Sequence, residues 1–238
     1  MGNISAVFRR EFASTFDSPL AYIVLPIFLG LVAAFSLWFQ DLFAIGVVTL
    51  RTVFFWSAVF FLFLAPALTM RSFAEEQRTG SLEILVTLPI TEMQVVLGKY
   101  LSAVGLLTVA LLLTASYPIT LSFLGDLDMG PVIGGYLGLF LLGAAYCAIG
   151  TAASAFTSNQ IVAFLLSMVL CLIPFATGFF LHQVPASILP LVQYISFDYH
   201  FNNLARGVID TRDIVFYASV IGLGLHVAVF ALAWRRLR

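Results

Sequence analysis

The segment 182–213 gathers His182, Asp198, His200, Asp210 and Asp213, side chains of the types that bind metals or move protons. Their order fits neither H-E-x-x-H nor a paired-ligand spacing, so the residue types suit metal chemistry and the pattern does not. His226 is a second candidate. It stands alone in a long apolar stretch, where an ionisable side chain is either an intramembrane functional site or a hydrogen-bond partner between helices. Cys147 and Cys171 also fall in apolar stretches, where a free thiol behaves as a small hydrophobe. No G-x-S-x-G, close carboxylate cluster or G-x-x-x-x-G-K-[ST] phosphate loop occurs. The expectation is a chain with no catalytic residues, no metal site and no bound cofactor. What remains is charge: Arg71, Glu75, Glu76, Arg78 and Glu83 crowd into the stretch from Met70 to Thr91, between two apolar blocks.

Composition explains why that crowding is conspicuous. Of 238 residues, 61% are hydrophobic and only 10% charged, and the mean hydropathy of +1.05 excludes an ordinary soluble domain. With 11 basic against 12 acidic residues, nothing marks nucleic acid as a partner. A hydrocarbon core of roughly 30 Å takes about 20 helical residues, and six such windows fit: Leu20–Phe39, Arg51–Met70, Gln94–Phe123, Pro131–Phe156, Gln160–Leu181 and Asp213–Trp234. The third exceeds what a bilayer needs, so it should tilt, kink at Pro118 or extend beyond the membrane. Arg9, Arg10, Arg71, Arg78, Lys99, Arg235, Arg236 and Arg238 fall on one side of these spans and Arg51, Arg206 and Arg212 on the other, which puts both termini in the cytoplasm. The first apolar stretch starts too late for a signal peptide, so the whole chain reads as one transmembrane domain, 1–238.

Three segments flank the spans. In residues 1–18, Ile4, Val7, Phe8, Phe12 and Phe16 recur at helical spacing while Arg9 and Arg10 point elsewhere, a pattern for a helix in the headgroup plane. In the cytoplasmic loop 71–91, Ser72 and Glu75 fit a capping box, "RTG" signals a turn, and Ser81 to Pro89 can make a short helix with Leu82, Leu85 and Val86 on one face. Thr91 with Gln94 forms a second capping box that starts the third span. Such a loop is either a docking element for a cytoplasmic protein or a solvated connector. The external segment 182–212 is divided by Pro185 and Pro190 and is apolar enough at "SILPLVQYI" to dip into the bilayer. Gly130, Gly134 and Gly138 mark a face of close helix approach, within the chain or between subunits.

The run "FAEEQRTGSLEILVTLPIT" resembles the loop motif of type-2 ABC exporter permeases, and "YHFNNLARGVIDTRDIVFY" is similar to the gliding-motility-associated subgroup. The resemblance covers almost the whole chain. It implies an all-α fold of six spans with an amphipathic N-terminal helix carrying Phe8, Arg9, Arg10 and Phe12, and an external re-entrant gate involving Pro185, Pro190, Tyr199 and His200. It also implies a coupling helix at Gly80–Pro89 that docks on a cytoplasmic ABC ATPase, with Glu75, Glu76, Arg78, Gly80, Ser81, Leu82, Glu83, Leu85, Val86 and Pro89 as the coupling set. On this reading ATP and Mg bind the partner, and a second permease copy, identical or not, completes the membrane part. An external accessory subunit and membrane lipid are further partners, in a bacterial inner membrane. The function implied is ATP-driven export; the alternative is a non-transporting machine that transmits motion to an external envelope partner.

Overall fold

The computed structural model describes residues 2–39, 49–80, 90–123 and 125–236, and among them there are helices and no strands. In chain order they are α1 Gly2–Asp17, α2 Pro19–Ala34, α3 Arg51–Thr69, α4 Arg71–Thr79, α5 Glu92–Thr114, α6 Ser116–Ser122, α7 Met129–Phe156, α8 Gln160–Phe180, α9 Leu189–Ile195, α10 Phe197–Ala205 and α11 Thr211–Arg236. Five helical runs are long and apolar enough to cross a membrane, and a sixth arises if α1 and α2, bent by 75°, are taken together. A π-helical turn, Phe35–Phe39, prolongs α2 to the end of the expected first span. The chain is an all-α polytopic membrane protein.

Several boundaries follow from local chemistry. The Thr91 hydroxyl accepts from the Gln94 N–H while the Gln94 side chain accepts from the Thr91 N–H, so the expected capping box opens α5. Asp128 and Asn159 cap α7 and α8 through their side-chain oxygens. The third span breaks at Ala115, ahead of Pro118. Proline has no N–H to give the Thr114 carbonyl, and its ring crowds that position; the Tyr136 hydroxyl of α7 donates to Thr114 O instead, at 2.9 Å.

One expected boundary is wrong. Ser72 and Glu75 do not cap a new helix, because Met70 keeps a helical backbone (φ −57°, ψ −30°) and α3 passes into α4 as one run, Arg51–Thr79. A capping serine needs an extended backbone, which Ser72, inside α4, lacks. The run ends at Gly80, whose φ of 73° is the left-handed conformation glycine adopts without a Cβ penalty.

The core centres on α7, which packs against α3, α5, α8, α10 and α11. Of its most apolar window 67% is buried, against 22% for α8, which lies at the periphery. Small residues let neighbours close in: Gly135 lies under the Phe54 ring, Gly134 against the Leu204 carbonyl, Gly138 against Phe201 and Leu204, and Gly150 against Thr69. The glycine face of this helix is therefore spent on packing within the chain. α1 runs parallel to α5, with Asn3 bonded to Gln94, Val7 over Gly98 and Phe12 over Gly105. The expected amphipathic stripe exists, and α5 covers part of it.

Candidate functional site

At the end of the bundle where α4 leaves the core, Lys99 of α5 is 2% exposed. A buried ammonium needs counter-charges, and they come from two other helices: Glu76 of α4 at 2.8 Å and Glu11 of α1 at 3.2 Å. Arg10 completes the group, 2.8 Å from Glu11 and 3.7 Å from Glu76, and the Phe73 ring lies 5.4 Å from the ammonium. Two cations and two carboxylates thus join α1, α4 and α5. Burial alone would raise the Glu11 carboxyl, but Lys99 and Arg10 outweigh it and hold the group below the usual carboxylate range. A 500 Å³ cleft opens beside the cluster, lined among others by Arg71, Ser72 and Glu75.

A second fastening holds α4 to α7. The Ser154 hydroxyl accepts from the backbone N–H groups of Phe73 and Ala74, at 3.0 and 3.1 Å, and donates to the Met70 carbonyl at 3.0 Å. One buried side chain therefore serves the passage from α3 to α4, where helix-start donors lack intrahelical acceptors. Four residues on, the Gln77 side-chain amide donates to Ala155 O at 2.9 Å. The helix that ends at Gly80 is fixed to α7 by polar bonds, and to α5 and α1 by charge.

The expected coupling residues divide accordingly. Glu76 enters the cluster, Glu75 lines the cleft, Arg78 is exposed, and Gly80 ends α4. Ser81, Leu82, Glu83, Leu85, Val86 and Pro89 lie outside the described residues. Of the N-terminal set, Phe8 and Phe12 stack at 5.5 Å with their faces half-buried, Arg9 is exposed, and Arg10 joins the cluster.

At the opposite end, the expected gate residues do not form one group. Pro185 and Pro190 are exposed, with Pro190 in the first turn of α9, and Tyr199 is half-buried. His200 is buried and joins α10 to α11. Its Nδ1 lies 2.6 Å from Asp213 Oδ1, its Nε2 3.0 Å from the Tyr194 carbonyl, and its ring stacks on Phe216. The imidazole is therefore held at both ring nitrogens, by a carboxylate on one side and a main-chain carbonyl on the other. The Tyr217 hydroxyl donates to Phe197 O at 2.9 Å, a second tie between the same helices. His182 is exposed and away from this pair, and no group of three metal-binding side chains occurs among the described residues. His226 is on the exposed side of α11 and makes no hydrogen bond among the described residues.

The sequence reading missed Glu11, Gln77 and Ser154, and used Lys99 only as a marker of topology. Signals existed for two of them: Lys99 is a charge inside an apolar window, and Glu11 shares the helical face of Ile4, Val7 and Phe8. Nothing local marks Ser154. Residues 56–237 match the family described as ABC-2 family transporter protein. No curated protein matches the chain.

Proposed function

The chain belongs to the ABC-2 transporter family, and from that premise we propose that it is the non-catalytic membrane subunit that converts ATP hydrolysis on a separate cytoplasmic ATPase into movement of a substrate across the membrane. The reading rests chiefly on how α4 is held. A push delivered at Gly80 meets a helix that is continuous with α3, bonded through Ser154 to α7, and bridged through Glu76 and Lys99 to α5 and α1. Force applied there reaches four other helices through contacts of a few ångströms, and packed elements with discrete arrangements can turn such a push into alternate states. The segment Gly80–Pro89 is the coupling helix of this scheme. Leu82, Leu85 and Val86 form its docking face, with Glu75 and Glu83 at the rim.

In this scheme ATP and Mg belong to the ATPase, and two permease copies form the membrane part. Both termini and α4 face the cytoplasm of a bacterial inner membrane, where Arg9, Arg10, Arg71 and Arg78 satisfy the positive-inside rule. The resemblance of the run Tyr199–Tyr217 favours placing the chain in the gliding-motility-associated subgroup. The test is Leu85→Asp in a tagged permease co-expressed with its ATPase. A carboxylate in a buried apolar contact costs a few kcal/mol, roughly, so recovery of the ATPase should fall sharply at unchanged membrane expression. Undiminished recovery would refute docking through this face.

A further inference from the structure

At the end of the bundle remote from α4, a 340 Å³ cavity lies between the start of α3, the end of α8 and α10. Arg51, Phe55, Phe179, Asp198, Phe201 and Asn202 line it. Two opposite charges therefore share one cavity, yet Arg51 and Asp198 form no ion pair with each other or with any other described residue. Asp198 is 9% exposed and packed on Gly178, where a Cβ would strike its carboxylate. Arg51 is the first residue of α3, whose N-cap, Leu50, has no side-chain oxygen to offer the helix start.

Each end of the cavity lacks the charge it calls for. A helix N-terminus favours an anion, and this one, 19 residues long, has no cap from Leu50, only the Thr49 hydroxyl at 3.3 Å from the Arg51 N–H, and carries a guanidinium besides. The carboxylate end is walled by aromatic rings: Phe55 and Phe179 meet edge to face at 6.1 Å, and Phe201 is buried beside them. A carboxylate next to ring faces suits an ammonium, which gains from both. Burial pushes the Asp198 carboxyl above the ordinary range, and Asn202 offsets only part of it, as expected of an acid without a counter-cation. The cavity also lies at the ends of two spanning helices, the depth at which lipid headgroups sit.

We propose that this cavity binds a phosphoethanolamine group, its ammonium against Asp198 and the phenylalanine rings and its phosphate against Arg51 and the start of α3. The same chemistry is offered by a phosphatidylethanolamine headgroup and by the free zwitterion. Binding requires no ATPase, so it stands or falls apart from the coupling scheme.

The test uses the purified full chain in detergent, titrated with short-chain phosphatidylethanolamine, short-chain phosphatidylglycerol and free O-phosphoethanolamine, with bound ligand read by native mass spectrometry. The ethanolamine lipid should bind saturably and about tenfold more tightly than the glycerol lipid, which lacks the cation. Asp198→Asn should erase that preference, and Arg51→Gln, at an exposed position, should weaken both lipids alike. Phe179→Leu, on a half-exposed ring, should reduce the preference and provides a second reading should Asp198→Asn misfold. Binding of the free zwitterion as tight as that of the lipid would identify a soluble ligand of this chemistry, and binding of the lipid alone a headgroup site. Equal affinity for the two lipids, or a preference that survives both Asp198→Asn and Phe179→Leu, would overturn the proposal.

Discussion

Replacing Ser154 by alanine removes three hydrogen bonds with one oxygen atom, and their consequences differ. The Ala74 N–H can fall back on the Met70 carbonyl four residues earlier, the ordinary helical acceptor. That carbonyl in turn keeps a donor. The Phe73 N–H, buried in the first turn of α4 and making no bond to the Thr69 carbonyl across the passage from α3, loses its acceptor where water does not replace it. An unsatisfied buried donor costs about 1–3 kcal/mol, so local opening of α4 should become more frequent by roughly 5- to 150-fold, at about 1.4 kcal/mol per tenfold. Hydrogen exchange on the permease in nanodiscs reads this directly. Peptides covering 70–79 should exchange faster by a factor in that range in Ser154→Ala, while peptides within α7 stay as in the wild type. Ser154→Thr, which retains the oxygen, should restore most of the protection. In the ATPase complex, Ser154→Ala should leave ATPase docking intact and lower the substrate movement obtained per ATP. Unchanged exchange over 70–79 would refute the claim that Ser154 fastens the lever.

Two further outcomes test the charge cluster and the orientation. Lys99→Met leaves Glu11 and Glu76 sharing only the exposed Arg10, so the loss should fall below the roughly 3–5 kcal/mol of a fully buried broken pair; adding Glu76→Gln to Lys99→Met should recover part of the lost thermal stability in detergent, whereas a Lys99→Met single variant as stable as the wild type would remove the cluster from the argument. Single cysteines replacing Ser5 and Ser81 should label from the cytoplasm and one replacing Ser187 from outside, and outside labelling at position 81 would invert the proposed orientation.

Features governed by neighbours in sequence were legible. The capping box at Thr91 and Gln94, the break enforced by Pro118 and the apolar stripe of α1 each depend on residues within one or two turns. The Ser72 and Glu75 pattern had the same local form and misled, because whether a serine caps depends on its own backbone, and there α3 continues through Met70 under the hold of Ser154. The candidate site was less legible for a related reason. Lys99 meets Glu76 and Glu11 from 23 and 88 positions away, and Ser154 reaches Phe73 across 81. No spacing rule connects such residues; only the burial of a lone lysine in an apolar window hints that acids must come to it. His200 and Asp213, close in sequence, still follow no ligand pattern because they sit on different helices.

The run from Arg51 to Thr79 gives these separate observations a mechanical relation. At 29 residues it is about 43 Å long, with the Ser154 and Lys99 fastenings at one end and Arg51, lining the 340 Å³ cavity, at the other. Its interior weak point is Pro66, which cannot bond back to Leu62 and lies just before the passage into α4. A displacement of α4 can therefore be absorbed by bending near Pro66 or carried along α3 to Arg51. The extensive packing of α3 against α7, with Gly135 beneath Phe54 and Gly150 against Thr69, resists independent sliding of α3 and favours movement of α3 and α7 together. Movement of that pair against α8 and α10 would change the distance between Arg51 and Asp198, and with it the fit of whatever occupies the cavity.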